Sequence, residues 1–331
     1  MLWGVRYLIT GGAGFIGSHL AEVLVERGDS VVALDNLSTG HQRNLETVAG
    51  HRNFRLVPGS VLDDLLLDDL VRECDVVVHL AAAVGVSLIV NQPLRSLRTN
   101  IRGTENVLEA VHRYRKTALV ASTSEVYGKN SGTLSETSDR ILGAPSIARW
   151  AYSTSKAVDE ILALAYWRER QIPTIVVRFF NTVGPRQTGA YGMVIPRFVA
   201  QALRGDDLTV YGTGEQSRCF LDVSDCVRAV VALVDERRAI GEVFNIGSTE
   251  EVTIAALASR VIDAIGSSSG VRKVEYADVY GDQYEDMLRR VPDTSKIRSL
   301  IGWAPERTLD DVIKRTTQWA EHIGPDALLE A

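Results

Sequence analysis

Tyr152 and Lys156 stand four residues apart in the run Arg149-Trp150-Ala151-Tyr152-Ser153-Thr154-Ser155-Lys156. On a helix that spacing sends both side chains from one face into the same space. A phenol is a poor acid or base at neutral pH, because its ordinary pKa is about 10. A nearby ammonium favours the phenolate and lowers that value, which suits the pair to moving a hydroxyl proton. Ten tyrosines and six lysines in 331 residues make such a pair uncommon by chance. Upstream, Thr123-Ser124-Glu125 set two hydroxyls and a carboxylate side by side.

Groups of this kind need a scaffold that aims them at one ligand. Residues 5–10 are an apolar strand that breaks into Thr10-Gly11-Gly12-Ala13-Gly14-Phe15-Ile16-Gly17. A helical pattern follows through Arg27, with Ile16, Leu20, Val23 and Leu24 on one face. Glycines at 11, 14 and 17 permit a tight turn and let backbone amides approach a pyrophosphate at the helix N-terminus. A second strand, Ser30 to Leu34, ends in Asp35, about 20 residues beyond the loop. An acid there binds the adenosine ribose hydroxyls and repels a 2′-phosphate, so the expected dinucleotide is NAD rather than NADP.

Apolar strands recur at 54–59, 75–80, 117–122 and 173–179, with helical patterns between them, notably Asn100–Arg115 and Tyr152–Arg170. That alternation predicts an α/β fold with a Rossmann-like doubly wound parallel sheet. Ligands of such sheets lie beyond the carboxyl ends of the strands. The glycine loop, Asp35, Ser60, His79, Ser122 to Glu125 and Asn181 all fall at such ends. His79, inside Val76–Ala83, reads as a hydrogen-bonded structural histidine and has no partner at metal-ligand spacing. Residues 184–221 interrupt the alternation; a helix, Asp222–Asp235, and a strand, Glu242–Ile246, resume it. The expected division is a dinucleotide-binding domain of residues 1–181 and 222–249. A smaller, discontinuous α/β substrate-binding domain of residues 182–221 and 250–331 would cover the strand ends.

The formal charge of −6, with no basic cluster to offset it, excludes general nucleic-acid affinity. Cys74, Cys219 and Cys226 are too few and wrongly spaced for a disulfide framework or a zinc site. The most apolar run, Val76 to Val86, contains His79 and Gly85 and is too short to span a bilayer. A cytoplasmic protein with no membrane partner is expected.

Ten pieces, in order, carry a family resemblance. They are T-G-G-A-G-F-I-G-S-H-L, L-D-N-L-S-T-G, V-V-H-L-A-A, T-N-I-R-G-T, S-T-S-E-V-Y-G, Y-S-T-S-K, F-N-T-V-G-P-R, L-T-V-Y-G-T-G, S-R-C-F-L-D-V and L-I-G-W-A-P. Nearly end to end, the chain resembles the extended short-chain dehydrogenase/reductase family, with its nucleotide-sugar epimerases, decarboxylases and dehydratases. The resemblance implies an NAD that takes a hydride from sugar C4 and later returns it. Tyr152 would remove the C4 hydroxyl proton, Thr123 would hydrogen-bond that oxygen, and Lys156 would hold the nicotinamide ribose and lower the Tyr152 pKa. By the same resemblance Gly11, Gly14, Phe15, Ile16, Gly17, Asp35, Asn36, Ser38, Thr39 and Gly40 bind the cofactor. Ser60, Val61, Leu80, Ala81, Ala82, Asn100 and Phe180 join them, Ser60 standing where an acid is often found. Asn181, Arg218 and Arg290 would meet the diphosphate of a UDP-sugar, and Tyr211 would wall the nucleobase. Thr123, Ser124, Thr182, Arg186 and Val194 complete the implied substrate pocket. The helices around Asn100–Arg115 and Tyr152–Arg170 would pair across a homodimer, with Ile161, Leu162, Leu164 and Ala165 as extra apolar positions.

Three reactions start from the same oxidation. Dehydration needs an acid to protonate a leaving C6 hydroxyl, and family dehydratases carry an acid pair where this chain has Ser124-Glu125. Decarboxylation follows if a C4 ketone turns the C5 carboxylate of UDP-glucuronate into that of a β-keto acid, with Glu125 in the catalytic role. Epimerisation needs only Thr123, Tyr152, Lys156, NAD and room for the 4-keto sugar to turn over. The run G-P-R-Q-T-G-A-Y-G-M-V-I-P looks more like UDP-hexose and UDP-hexuronate 4-epimerases than like decarboxylases. The expected activity is therefore 4-epimerisation of UDP-glucuronate or UDP-glucose, with UDP-glucuronate decarboxylation to UDP-xylose as the alternative. A non-catalytic NAD-binding regulator is a remote third reading, because the Thr/Tyr/Lys set is complete.

Overall fold

The computed structural model describes residues 4–85, 92–190, 192–280 and 285–330. Tyr191, in the run that favoured the epimerase expectation, lies outside them. Seven strands build one sheet: β1 Arg6–Thr10, β2 Ser30–Asp35, β3 Phe54–Pro58, β4 Val76–His79, β5 Thr117–Thr123, β6 Thr174–Phe179 and β7 Val243–Ile246. All pairings are parallel, and the order across the sheet is β7-β6-β5-β4-β1-β2-β3. The strand order reverses between β1 and β4, which opens a crevice at their carboxyl ends. Among the described residues, eight longer helices accompany the sheet and its extension: α1 Phe15–Glu26, α2 Asp64–Glu73, α3 Gly103–Tyr114, α4 Arg149–Arg170, α5 Val194–Arg204, α6 Val223–Asp235, α7 Ile254–Ile265 and α8 Leu309–Ile323.

The period of two along β1 explains why helices lie on both faces. Tyr7 and Ile9 pack with Leu20 and Leu24 of α1 and Val227 of α6 on one side. Leu8 points the other way, into Leu67 and Val71 of α2 and Val107 of α3. Each such side chain contributes about 1.5–3 kcal/mol by leaving water, so the strand ends are held on a rigid frame. Before α3 the chain makes a π-helical turn, Arg98–Arg102, where the sequence suggests regular helix from Asn100. Inside that turn Asn100 accepts the Ala83 amide at 2.8 Å and donates to the Ser155 hydroxyl at 3.2 Å. The widened turn trades helix regularity for a brace between β4 and α4.

A second core joins Ile195 and Phe198 of α5, Leu257 and Val261 of α7, and Val312 and Ile313 of α8. Beside it, a four-stranded sheet runs in the order Glu251–Thr253, Ser217–Cys219, Arg289–Pro292, Thr133–Leu134. Two pieces cross the division expected from the sequence. Thr133–Leu134 pairs with Val291 and Pro292 in the small sheet, while Ile297 and Trp303 are buried in the core of the large one. No helix among the described residues is long and apolar enough to cross a membrane.

Candidate active site

A cavity of about 490 Å³ runs along the carboxyl ends of the central strands and under the second core. At one end Gly11 takes a left-handed φ of +73°, and a Cβ there would sit 2.8 Å from the Ala81 nitrogen. A side chain at Gly17 would collide with the Gly11 carbonyl. The turn therefore closes only with glycine, and α1 begins at Phe15 behind an N-cap, Gly14, that has no side chain to occupy its amides. Asp35 is buried at the end of β2 and accepts the Ala13 and Leu37 amides at 3.0 and 2.8 Å. Burial pushes its pKa up, against those backbone donors. Its carboxylate has lone pairs to spare for two ribose hydroxyls. Gly11, Gly14, Phe15, Ile16, Gly17, Asp35, Asn36, Ser38 and Thr39 line this end with Ser60, Val61, Leu80, Ala81 and Ala82. An uncapped helix start beside a buried acid fits a dinucleotide.

Three residues expected at the cofactor do not line the cavity. Gly40 packs behind Asp35, where a Cβ would meet the Asp35 carboxylate at 3.0 Å and Ala13 at 2.9 Å. Asn100 is spent on Ala83 and Ser155. Phe180 is wholly buried with Val126 and Tyr127; its neighbour Phe179 lines the cavity instead, because consecutive residues of an extended chain face opposite ways. His79 is a structural residue. It is buried between the hydroxyls of Thr10, at 2.7 Å, and Thr104, at 3.0 Å, and burial drives its pKa down to about 3.

Thr123, Ser124, Glu125, Tyr152 and Lys156 meet in the middle of the cavity. The Thr123 hydroxyl reaches the Tyr152 phenol. Lys156 lies one helical turn beyond Tyr152 on α4. Its ammonium donates to Asp159 Oδ2 at 2.6 Å, within a buried ion pair. Burial first, then the charges of Glu125 and Asp159, hold the phenol above its ordinary pKa, with Thr123 and Arg290 pulling the other way.

At the other end of the cavity, charges dominate. Parallel pairing of Ser217–Cys219 with Arg289–Pro292 sets Arg218 directly beside Arg290. Arg218 grips Asp286 through both carboxylate oxygens, at 3.0 and 3.1 Å. Arg290 donates to Asn181 Oδ1 at 2.9 Å and Ser124 Oγ at 3.4 Å, and lies 3.6 Å from Glu125. Burial, followed by the neighbouring Arg218, lowers its pKa to about 10. Arg149 joins both carboxylates, 3.5 Å from Glu125 and 3.6 Å from Asp286. Burial works to raise the Asp286 pKa, but Arg218, Arg149 and the Tyr276 hydroxyl hold it below the usual carboxylate range. Three buried arginines against two carboxylates leave this pocket cationic, suited to an anionic ligand.

The sequence reading missed Arg149 and Asp286. Arg149 was within reach, because positions 149, 152 and 156 share one helical face. Asp286 comes to the site through a pairing sixty-eight residues away, at Arg218, which no local pattern reports. Other expected substrate residues line the cavity but are already engaged. The Thr182 hydroxyl donates to the Phe180 carbonyl at 3.1 Å, and Arg186 donates to Glu22 of α1 at 2.7 Å. Val194 opens α5 at the cavity wall. The Arg197 guanidinium lies 3.9 Å over the Tyr211 ring.

Comparison with known proteins places this geometry. The family model described as GDP-mannose 4,6 dehydratase matches residues 8–316. A UDP-N-acetyl-alpha-D-glucosaminuronate decarboxylase of Bacillus cytotoxicus is 43% identical over 97% of this chain and 99% of its own. UDP-glucuronic acid decarboxylase 1 of Xenopus tropicalis is 36% identical over 95% of this chain and 72% of its own. Among solved structures, the UDP-glucuronic acid 4-epimerase of Bacillus cereus, in complex with UDP-glucuronic acid and NAD, superposes with a TM-score of 0.87. It is 29% identical and covers 96% of this chain and 99% of that one. The expected 4-epimerisation is overturned by these relatives, since the more identical proteins are decarboxylases.

Proposed function

Because the chain belongs to the GDP-mannose 4,6-dehydratase family, within the extended short-chain dehydrogenases/reductases, we propose that it decarboxylates a UDP-hexuronate. The cofactor is NAD, and the chain is an NAD-dependent nucleotide-sugar enzyme. Bound NAD supplies a hydride acceptor for C4 of the sugar and later returns the hydride. Glycines 11, 14 and 17, the start of α1 and Asp35 would hold it, with Lys156 at the nicotinamide ribose.

The observation that carries the reading is the position of Arg290. It is a buried cation bonded to Ser124 and paired with Glu125, next to the Thr123–Tyr152 pair that would address C4. A carboxylate at C5 would fall to that cation. Tyr152 takes the C4 hydroxyl proton as the alcohol becomes a ketone. The C5–carboxylate bond then breaks, CO₂ leaves, and its electron pair becomes a C4–C5 enolate whose oxygen is stabilised by Thr123 and Tyr152. Glu125, held between Arg149 and Arg290, is placed to deliver a proton to C5. Reduction at C4, with the proton returned by Tyr152, completes a UDP-pentose; the net change is one proton consumed and one CO₂ released. The 43% relative favours the N-acetylated hexuronate as the preferred substrate.

Incubation with UDP-N-acetylglucosaminuronate and with UDP-glucuronate, followed by product mass spectrometry, tests this. Loss of CO₂ from either supports it, and unchanged mass with both refutes it. A cytoplasmic homodimer belongs to the same proposal. Ile161 of α4 is 63% exposed, and pairing of α3 and α4 with a second copy would cover it. A monomeric mass by light scattering would refute the dimer.

A further inference from the structure

Two consecutive carboxylates of α4, Asp159 and Glu160, are buried beneath the catalytic tyrosine and are engaged differently. Glu160 is fully engaged: Arg178 donates to it at 2.9 and 2.7 Å, and the Ser122 hydroxyl closes on it as well. Asp159 is wholly buried; Lys156 donates to its Oδ2 at 2.6 Å, and the Thr104 hydroxyl also favours its charged form. Its other oxygen, Oδ1, is buried with no hydrogen-bond partner among the described residues. Leaving a carboxylate half satisfied in the interior is unfavourable, so a purely structural purpose is poorly served. What the pair does accomplish is electrostatic. The Lys156 ammonium lies on the tyrosine's own helical face, and Asp159 sits directly against it.

We infer that Asp159 is a positioning residue that holds the Lys156 ammonium and cancels its charge at Tyr152, tying the strength of the base to occupation of the cofactor site. Tyr152 is faced by Glu125 from the end of β5, by Arg290 from the small sheet, and by Lys156 and Asp159 from its own helix. Asp159 is faced by Lys156, by Glu160 with its Arg178, and by the neutral His79–Thr104 pair across from α4. Burial raises the Asp159 pKa and Lys156 lowers it, while Asp159 in turn helps to raise that of Tyr152. The ammonium has three donors and uses one on Asp159. Ribose hydroxyls of a bound NAD would share the rest. Without that cofactor, the protein's own charges keep Tyr152 protonated, so little phenolate is present to act as base.

The inference deepens the reading of Tyr152 as the base, so its test is a titration that needs no turnover. Phenolate absorbance is followed against pH in NAD-loaded and cofactor-free protein, each spectrum referenced to the same protein carrying Tyr152→Phe. In Asp159→Asn the midpoint should fall by about one pH unit or more, the scale of one uncompensated neighbouring charge. In the double variant Lys156→Met/Asp159→Asn it should return close to wild type, since both charges are gone. An Asp159→Asn midpoint equal to that of wild type would overturn the inference, whatever the melting temperature. Should the single variant not fold, the neutral double variant decides: a midpoint near wild type supports cancellation, and one displaced by more than about one unit refutes it. Failure of the base reading looks different. The phenolate midpoint would then move while the pH dependence of NAD reduction by substrate stayed where it was.

Discussion

The two ends of the cleft are built from different materials. The dinucleotide end is made of backbone: a left-handed Gly11, amides at the start of α1, and one acid, Asp35, tied to its own loop. The sugar end is made of buried charge carried by distant segments, with Arg149, Arg218 and Arg290 interleaved with Glu125 and Asp286. A backbone site is pre-formed and indifferent to what the rest of the ligand is. A charged site is strong only while its ions stay paired and desolvated, and its chemistry changes with single substitutions. Relatives with different reactions on one fold are what this division predicts.

The difference can be broken open by mutation. The largest effect should come from Tyr152→Phe, which removes the proton acceptor and should reduce turnover by at least about 10²-fold without releasing NAD. Near-normal activity, measured as CO₂ release, would remove Tyr152 from the account. Arg290→Met should cost about 10- to 100-fold, the equivalent of one lost hydrogen-bonded charge. Titration of bound cofactor should show the dinucleotide end untouched. Glu125→Gln should slow product formation while C4 oxidation persists, so reduced NAD should build up in single-turnover absorbance. If oxidation and product formation fall together, Glu125 does not act after the ketone.

A change at the other end should have the opposite signature. Gly17→Ala pushes a methyl into the Gly11 carbonyl, and should destabilise the fold by about 1–3 kcal/mol. Its loss of activity should be recovered by excess NAD, as calorimetry and saturation kinetics would show; unrecovered activity would blur the contrast. The smallest effect concerns Asp286, whose pKa is held below that of an unfolded carboxylate. Such a group stabilises the fold above the unfolded value of about 3.9 and loses that contribution as pH falls through its lower folded value. The melting-temperature gap between wild type and Asp286→Asn should therefore be full at neutral pH and close below about pH 4.

The same contrast explains how much was legible in the sequence. Glycine spacing, the acid after β2 and the strand alternation are local signals, and they pointed to the sheet, the glycine loop and Asp35; the family resemblance supplied the other cavity-lining residues from Phe15 to Ala82. The errors there were also local. Phe180 differs from Phe179 by one step of an extended chain, and Asn100 sits in a π-turn that periodicity cannot distinguish from helix. At the sugar end, Arg218 and Arg290 meet through a register between strands seventy-two residues apart, and Asp286 follows them. Sequence motifs named these arginines by resemblance without showing what they face. The epimerase expectation rested instead on the run from Gly184 to Pro196, and the more identical relatives, which are decarboxylases, overturn it.

The most direct test of the account follows the carboxyl carbon. UDP-N-acetylglucosaminuronate labelled at that carbon, incubated with the NAD-loaded protein, should release the label as CO₂ and leave an unlabelled UDP-pentose. Release should collapse in Arg290→Met while cofactor binding holds. Retention of the label in a product of unchanged mass and inverted C4, with both this substrate and UDP-glucuronate, would contradict it.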